Sequence, residues 1–234
     1  MIALIDADIL VYRVGYTTED VNTDIAAYRM EESIKGIMEA LKTDECLHYL
    51  TSTDHSNYRY ELYPDYKANR KQPKPKHYDF LRSYLVEERG ATVVFGMEAD
   101  DRLGIEQSER TVICSIDKDL DQIPGKHFNF VKGLLYDVTP VEGLRCFYRQ
   151  LLTGDATDNI PGIYGIGPKK SEAILNGFTE EVDLWNAVYK TWLTWWTDNE
   201  EKKDEDLLEI LTRNGRLLKI KQSKDEPLWT PPNV

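Results

Sequence analysis

The sequence predicts an α/β fold with a mainly parallel central sheet flanked by helices, followed by a helical C-terminal region. Short apolar runs alternate with helical spacing over residues 1–139, a pattern typical of parallel sheets. Several of these runs are followed directly by carboxylates, whereas residues 140–234 are mainly helical in character, interrupted by a glycine-rich turn and a charged run. We therefore divide the chain into two domains near residue 139.

Five short segments have the apolar, β-branched composition of buried strands. They cover residues 1–5, 46–50, 91–95, 111–116 and 128–138, the last broken at Gly133. In parallel sheets, ligands bind beyond the carboxyl ends of the strands. The acids that follow these strands are therefore expected to gather along one edge of the sheet.

Helical spacing is found after Asp6 and in longer segments on both sides of the boundary. The longer segments are residues 24–41, 78–89, 182–196 and 207–220. The Lys-, Pro- and Tyr-rich stretch 63–77 has no clear period and predicts an irregular, mobile excursion. Four tryptophans at helical spacing predict core packing: Trp185, Trp192, Trp195 and Trp196. The charged run 200–206 predicts solvated surface.

The composition is that of a globular protein outside the membrane. The 234 residues are 41% hydrophobic and carry a formal net charge of −12. No apolar run approaches the length needed to cross a bilayer, and the N-terminal residues lack a secretory signal, so we expect a cytoplasmic location. Cys46, Cys114 and Cys146 have no metal-ligand spacing and are expected to be reduced and buried.

Carboxylates at strand ends and in a GDxxDN motif form a candidate metal site. They are Asp6, Asp54, Glu98, Asp100, Asp101, Asp117, Asp119, Asp155 and Asp158. Oxygen-only ligands favour hard ions, Mg²⁺ first and Mn²⁺ second. Two such ions roughly 4 Å apart would hold the attacking water and the leaving oxygen of a phosphodiester. A single acid after a strand is more often a helix cap or turn residue than a ligand, so their joint occurrence carries the prediction.

A basic strip lies inside this acidic chain. Between Arg59 and Arg82 there are seven basic residues against three acidic ones. The basic residues are Arg59, Lys67, Arg70, Lys71, Lys74, Lys76 and Arg82. Phosphate contacts in nucleic-acid binding depend on lysine and arginine, so the strip indicates a nucleic-acid partner.

Residues 154–170, GDATDNIPGIYGIGPKK, contain a glycine-rich turn with glycines at Gly162, Gly165 and Gly167. Pro168 suits the first turn of a helix, and Lys169 and Lys170 follow it. Free backbone amides beside lysines can hold a phosphate without reading base sequence. The segment resembles a helix-hairpin-helix element, which grips the DNA backbone in many proteins and often binds K⁺ through hairpin carbonyls.

The motifs IDAD, YKANR, EADD, DKD and the glycine-rich turn occur together in one order. This order resembles the flap endonuclease and 5′→3′ exonuclease family, which includes the 5′-nuclease domain of bacterial DNA polymerase I and phage exonucleases. The resemblance covers about residues 1–175 and implies a PIN-like nuclease core at 1–139. It implies a DNA-binding region with a helix-hairpin-helix (helix-three-turn-helix) element at 140–234. The short chain is similar to a phage enzyme.

The resemblance also implies two metal sites. The first has Asp6, Asp54, Glu98, Asp100 and Asp101; the second has Asp117, Asp119, Asp155 and Asp158, with Asp100 a candidate bridge between them. It further implies that Lys67 and Arg70 are catalytic residues that contact the scissile phosphate from a helical arch.

Tyr66 is implied to stack on a terminal base, and Arg59 to bind a neighbouring phosphate. A solvated surface position is an equal alternative for these two residues and for Lys71, Lys74 and Lys76. Residues 71–77 run through a region where many relatives have a longer arch, so the gate that threads a single-stranded 5′ end is expected to be reduced or open.

The predicted substrates are DNA 5′ ends, flaps, nicks and duplex ends, with RNA–DNA hybrids and replication proteins as further candidate partners of a monomer. Two alternatives stay open. A haloacid-dehalogenase-type phosphatase would use Asp6 as nucleophile, but it leaves YKANR and the glycine-rich turn unexplained. A DNA-binding module without catalysis would leave the acids unexplained.

Overall fold

The structure, a computed structural model, describes residues 1–199 and 206–232. Over these residues the chain forms two compact units. The first comprises Met1–Asn57, Gln72–Val138 and Ile220–Lys224, and the second Tyr58–Lys71, Thr139–Lys219 and Asp225–Val234. Both units are discontinuous in sequence, which a boundary at one residue cannot represent. The charged run predicted as solvated lies outside the described residues, apart from Asp206.

Within the described residues, the first unit contains a six-stranded sheet. Its strands are β1 (Ile2–Asp6), β2 (Cys46–Thr51), β3 (Thr92–Val94), β4 (Thr111–Cys114), β5 (Gly125–Asn129) and β6 (Leu134–Val138). Their spatial order is β3-β2-β1-β4-β5-β6, and all neighbours are parallel except the β5–β6 hairpin. The predicted α/β fold with a mainly parallel sheet is confirmed.

Helices follow the strands in the predicted alternation and then take over the chain. They are α1 (Ala7–Thr17), α2 (Thr23–Leu41), α3 (Tyr58–Leu62), α4 (Tyr78–Arg89), α5 (Ala99–Glu106), α6 (Pro140–Thr153), α7 (Pro168–Leu175), α8 (Glu181–Asp198) and α9 (Leu207–Leu218). Side-chain caps begin several of them: Asp6 accepts a hydrogen bond from Ile9 N at 3.1 Å, and Thr139 pairs with Glu142 in a capping box.

The central strand β1 is buried on both faces. Ala3 and Ile5 pack into one core, with α1, α2 and α4, whereas Leu4 packs into a second core with α5. The side chains alternate because successive residues of a strand point to opposite faces. Asp6 therefore lies at the carboxyl end of a strand that is held on both faces and by a neighbouring strand on each side.

The second unit is built on a helical core rich in aromatic side chains. Trp185 and Trp192 are buried, and Trp192 donates its indole N–H to Leu151 O at 2.8 Å. Trp195 and Trp196 pack against this core from half-buried positions. The predicted packing role of the four tryptophans is confirmed.

Two further expectations concern the membrane and the cysteines. In the part of the chain that the structure describes, no helix combines the length and hydropathy needed to cross a membrane. Cys46, Cys114 and Cys146 all carry reduced thiols; Cys114 and Cys146 are buried as expected, whereas Cys46 is only half-buried. Burial raises the pKa of the Cys114 thiol, which keeps it protonated.

The substitution Gly215→Ala is expected to lower the free energy of unfolding by roughly 1–3 kcal/mol. A Cβ atom at Gly215 would lie 2.1 Å from Cε3 of the buried Trp229 ring. Gly36→Ala is the matched control, because Gly36 also lies within a helix and a Cβ there meets nothing within 4 Å. That change should stabilise by about 0.5–1 kcal/mol. Urea unfolding measures both, and equal stability of Gly215→Ala and wild type would contradict the packing of Trp229.

Candidate active site

Asp6 and Asp117 are brought together at the carboxyl edge of the sheet by Ser115. Asp6 ends β1, and Ser115 and Asp117 follow the adjacent strand β4. The Ser115 hydroxyl donates to Asp6 Oδ2 at 2.7 Å and accepts a hydrogen bond from Asp117 N at 3.0 Å. The predicted gathering of acids at one sheet edge is thus seen for this pair.

The Asp6 carboxylate is held in an environment that disfavours its charge. The residue is only 2% exposed, and its pKa is raised from 3.8 to about 7, with burial as the main cause. The negative charges of Asp8 and Asp117 also act to raise it, whereas the hydrogen bonds from Ser115 and Ile9 act to lower it. A bound cation would relieve both the desolvation and the repulsion.

Asp8 and Ser115 also lie at this site, although neither is among the metal ligands predicted from the sequence. Asp8 accepts hydrogen bonds from Thr51 N and from the Arg82 guanidinium, both at 2.8 Å. Arg82 belongs to the predicted basic strip, but here it neutralises Asp8 instead of facing solvent. The strand-then-acid spacing of IDAD could have drawn attention to Asp8, whereas a serine two residues before Asp117 has no such signal.

Three other predicted ligands lie in loops and helix starts of the first unit. Asp54 is exposed after β2, where its Oδ1 accepts from Ser56 N at 2.9 Å; its hydrogen bonds with Ser56 and Ser52 lower its pKa. Asp119 donates its backbone N–H to Asp117 Oδ1 at 2.9 Å. Asp100 lies half-exposed in the first turn of α5. Their role as ligands stays a prediction.

Glu98 and Asp101 serve as the start of α5. Glu98 is its N-cap, and Asp101 Oδ2 accepts from Glu98 N at 3.1 Å. Asp101 Oδ1 accepts from Lys221 N at 3.0 Å, and the residue is fully buried. Backbone amides thus engage both Asp101 oxygens, which is the capping role that the sequence left open as an alternative.

In the second unit, Asp155 and Asp158 lie in one tight turn. The turn is closed by reciprocal backbone hydrogen bonds between Asp155 and Ile160, at 2.9 and 2.8 Å. Asp155 Oδ1 accepts from Thr157 N at 2.7 Å. The GDATDN motif therefore fixes both acids by local backbone geometry.

Asp158 is surrounded by the YKANR motif. Its Oδ2 accepts from the Tyr66 hydroxyl at 2.9 Å and lies 3.6 Å from Lys67 Nζ, while Arg70 pairs with its Oδ1. Lys67 N also donates to Asp158 O at 3.0 Å, and Asn69 donates to Ala156 O. Two motifs about 90 positions apart therefore form a single hydrogen-bonded assembly within this unit.

Lys67 adopts φ +59°, in the left-handed region that non-glycine residues seldom visit. Such backbone strain costs about 1–3 kcal/mol and is concentrated at functional sites. The conformation places its N–H and its ammonium on the same acidic residue. This is consistent with the catalytic role predicted for Lys67 and leaves that role untested.

Tyr66 and Arg59 occupy positions that do not support the predicted DNA contacts. Tyr66 is 2% exposed, so its ring is covered by protein rather than presented to a base. Arg59 is also 2% exposed and donates to Leu217 O and Lys219 O at the end of α9, at 2.8 and 2.9 Å. A buried guanidinium paired with carbonyls stabilises a helix end and is not positioned for phosphate.

The basic strip is divided between the two units, because the chain passes from one to the other at Lys71. Residues 73–77 are held in the first unit by hydrogen bonds, whereas the irregular composition had predicted mobility. Pro73 O accepts from the Tyr16 hydroxyl at 2.8 Å, and Lys76 N donates to Glu19 Oε1 at 2.9 Å. Lys74 Nζ lies 4.2 Å from the centre of the Tyr78 ring.

The glycine-rich segment forms a turn that leads into α7. Ile163 is buried, and Gly162 approaches the backbone so closely that a Cβ there would lie 2.1 Å from the Thr153 carbonyl carbon. Gly167 is the N-cap of α7 and Pro168 its first residue, with Lys169 and Lys170 exposed. This arrangement can offer backbone amides and positive charge to a phosphate.

The donors near Asp6 fit a hard divalent ion. They are carboxylate oxygens, and burial together with neighbouring acids disfavours the uncompensated charge. Over residues 1–199 and 206–232, no group of three or more His, Cys, Asp or Glu side chains is arranged to hold a metal ion. Mg²⁺ commonly uses only one or two protein carboxylates and keeps water or phosphate oxygens as its other ligands.

The family model described as the 5′-3′ exonuclease, N-terminal resolvase-like domain matches residues 1–145. The chain belongs to the 5′–3′ exonuclease family. It is therefore a nuclease of the 5′–3′ exonuclease and flap endonuclease class, and the family predicted from the motifs is confirmed.

Two of the curated relatives reported below carry the exonuclease and flap endonuclease activities in their names. The 5′-3′ exonuclease of Buchnera aphidicola subsp. Schizaphis graminum is 26% identical, over 81% of this chain and 74% of the relative. The flap endonuclease Xni of Shewanella denitrificans is 30% identical, over 63% of this chain and 67% of the relative. Thermostable DNA polymerase I of Thermus aquaticus is 32% identical over 74% of this chain but only 23% of the polymerase.

Solved structures of a phage enzyme share the fold. The T5 5′-exonuclease with bound zinc ions is 18% identical with a TM-score of 0.69, covering 93% of this chain and 88% of that one. The bacteriophage T5 flap endonuclease in a pseudo-enzyme–product complex with DNA and metal ions has a TM-score of 0.66 at the same coverage. At this identity the likeness concerns the fold, and it confirms the predicted PIN-like core.

Asp6→Asn is expected to stabilise the metal-free protein at pH 8. The folded-state pKa of about 7 lies above the ordinary value of 3.8, so the stability contributed by this group is lost as the pH rises from about 4 to about 7. Asparagine does not ionise, and the gain should be on the order of 1–3 kcal/mol at pH 8 and absent near pH 4.

Urea unfolding in EDTA at both pH values checks this expectation, with Asp137→Asn as control because Asp137 is an exposed carboxylate. Adding Mg²⁺ at pH 8 should stabilise wild type but not Asp6→Asn, since the ion needs the ionised carboxylate. A stability difference that does not change with pH would show that Asp6 is not desolvated as described.

Proposed function

We propose that this chain is a structure-dependent 5′→3′ exonuclease and flap endonuclease that hydrolyses DNA phosphodiesters with two divalent ions, Mg²⁺ first and Mn²⁺ second. The observation that carries the proposal is the buried Asp6 carboxylate beside Asp8 and Asp117 at the carboxyl edge of the central strand. The names of the relatives and the T5 complex with DNA and metal ions support it.

Bound ions would supply an activated water and would stabilise the leaving oxygen, so that a 5′-phosphate and a 3′-hydroxyl result. Asp6 and Asp117 are the ligands best supported by their surroundings. Ser115 orients both, through the Asp6 carboxylate and the Asp117 backbone. Orientation by such outer contacts commonly decides how well a metal ligand performs.

Lys67 and Arg70 are the proposed electrostatic catalysts. Both neutralise Asp158 in this structure, which keeps two positive charges close together on a strained, fixed backbone. Preorganised cations stabilise the charge that develops on phosphate in the transition state without reorganising during the reaction. Tyr66 would then act by supporting this arrangement through its bond to Asp158 rather than by stacking on a base.

The proposed substrates are DNA 5′ ends, flaps and nicks, with RNA–DNA hybrids as a further candidate in primer removal during phage replication. The glycine-rich turn before α7, hereafter the hairpin (residues 162–168), would hold the duplex by the DNA backbone. K⁺ is a candidate ligand of the hairpin carbonyls. The phosphatase alternative is disfavoured because the chain belongs to the 5′–3′ exonuclease family and because a phosphatase leaves YKANR and the glycine-rich turn unexplained.

Asp117→Asn is expected to lower the rate of DNA cleavage by at least about 100-fold while duplex affinity in EDTA changes little. The change removes a charge that an ion would use and keeps the side-chain volume. Asp137→Asn, in an exposed ion pair with Lys126, is the matched control and should cleave at the wild-type rate. The assay compares 5′-labelled and 3′-labelled flap, nicked and blunt substrates in Mg²⁺, with EDTA as the blank.

The reaction products distinguish the proposed nuclease from the phosphatase and from the binding module. Short products from the 5′ end in Mg²⁺ support the assignment, and full activity of Asp117→Asn would contradict it. Hydrolysis of small phosphate monoesters with DNA left intact would support the phosphatase. Tight duplex binding by wild type without cleavage in Mg²⁺ or Mn²⁺ would support a binding module.

The double change Lys169→Ala and Lys170→Ala should weaken duplex binding and reduce its salt dependence. Removing one cation that neutralises a phosphate makes the slope of log Kd against log salt shallower by roughly 0.9. Both lysines are exposed at the first turn of α7, where a phosphate can also reach free backbone amides. Fluorescence anisotropy at several KCl concentrations measures the slope, and an unchanged slope would argue against phosphate contacts at this turn.

A further inference from the structure

Tyr164 is the most exposed large apolar residue in the described part of the chain, with 91% of its surface accessible. Single exposed aromatic residues are common on proteins, so exposure alone identifies nothing. The other large aromatic side chains of this unit mostly pack inward, among them Tyr148, Trp185 and Trp192. The exposure of Tyr164 points to a binding role because the residue lies in the hairpin before α7.

The backbone of the turn forces this side chain outward. Ile166 N donates to Ile163 O at 3.1 Å, which closes a four-residue turn with Tyr164 and Gly165 at its centre. Gly165 has φ +80°, the conformation that a type II turn requires at its third residue. Ile163 is buried at one end of the turn, so the second residue, Tyr164, lies at its tip.

The tip is continuous with the phosphate-binding end of α7. Lys170 Nζ donates to Gly165 O at 2.8 Å, which ties the turn to the first turn of the helix. Lys169 is exposed beside it, and no side chain among the described residues caps the helix amides. An aromatic ring, two ammonium groups and free amides thus occur within seven consecutive residues.

We propose that Tyr164 is a further DNA-binding residue, whose ring packs on the deoxyribose next to a phosphate held by the first turn of α7. Sugars are the uncharged surface nearest to a phosphate in an intact duplex, where the base faces are stacked and inaccessible. The contact adds affinity without neutralising charge, so it is independent of salt. This inference rests on the proposed function, in which the hairpin binds duplex DNA.

The test is anisotropy of a labelled duplex in EDTA over a range of KCl concentrations. Tyr164→Ala should raise Kd by about fivefold, a loss that matches the lower end of what removal of a base-stacking aromatic ring costs. The slope of log Kd against log salt should equal that of wild type, since no counterion is released. Tyr164→Phe should bind within about twofold of wild type, because the ring is retained.

Tyr28→Ala is the matched control, because Tyr28 is a 62% exposed aromatic residue on α2 of the first unit. It should leave Kd unchanged. Unfolding of Tyr164→Ala should match wild type, since its ring contributes little to the core. Wild-type Kd for Tyr164→Ala, an equal loss for Tyr28→Ala, or a reduced salt slope for Tyr164→Ala would each overturn the inference.

Measurements on the wild-type chain keep this inference separate from the proposed function. Failure of the wild-type chain to bind or cleave DNA would refute the function itself. Normal binding and cleavage by wild type, together with unimpaired Tyr164→Ala, would refute only the role of Tyr164.

Discussion

The desolvation of the Asp6 carboxylate constrains the first unit more than any other interaction. Asp6 ends the central strand, with neighbouring strands on both sides and packed cores on both faces, so its side chain has almost no access to water. Ionising it there costs free energy that Ser115 and the start of α1 recover only in part. A hard cation would make the charged form favourable, and its binding would then stabilise the folded state.

The second unit also contains a shielded carboxylate, but there side chains of the protein compensate its charge. Asp158 is also shielded, but Lys67 and Arg70 neutralise it and Tyr66 donates to it. Removing one partner from such a cluster leaves another charge uncompensated, so its members depend on one another energetically. A divalent ion that engaged Asp158 would therefore compete with the cations already there. The proposed catalytic cations and a proposed metal ligand cannot be treated as independent parts.

Much of the fold can be predicted because its signals are local. The sequence predicts helices α2 and α4 to within one residue, and strands β1 and β2 to within one residue at each end, since hydrophobic period and chain breaks define them. The sequence predicts one interrupted strand where β5 and β6 form a hairpin, because Gly133 breaks the pattern without indicating that the chain reverses.

The sequence predicts which types of residue form the site, but it does not predict the contacts that they make. The acids after strands identify Asp6 and Asp117, yet the serine that joins them has no distinctive spacing. The predicted DNA contacts of Arg59 and Tyr66 rest on charge and aromaticity alone, whereas both residues are buried in the structure. Their burial depends on α9 and on the Asp158 turn, which lie roughly 90 to 160 positions away and leave no trace in the local pattern.

In the proposed complex with DNA, the hairpin before α7 would contribute two kinds of affinity, one that depends on charge and one that does not. Lysines and helix amides recognise phosphate, and this attraction weakens as salt competes for the same charges. An uncharged ring at the tip keeps its contribution at every ionic strength, because it depends on contact area. In a chain with a net charge of −12, long-range attraction to DNA is opposed by the rest of the molecule. Contact area at the tip of the hairpin would therefore add affinity that does not depend on the charge of the rest of the chain.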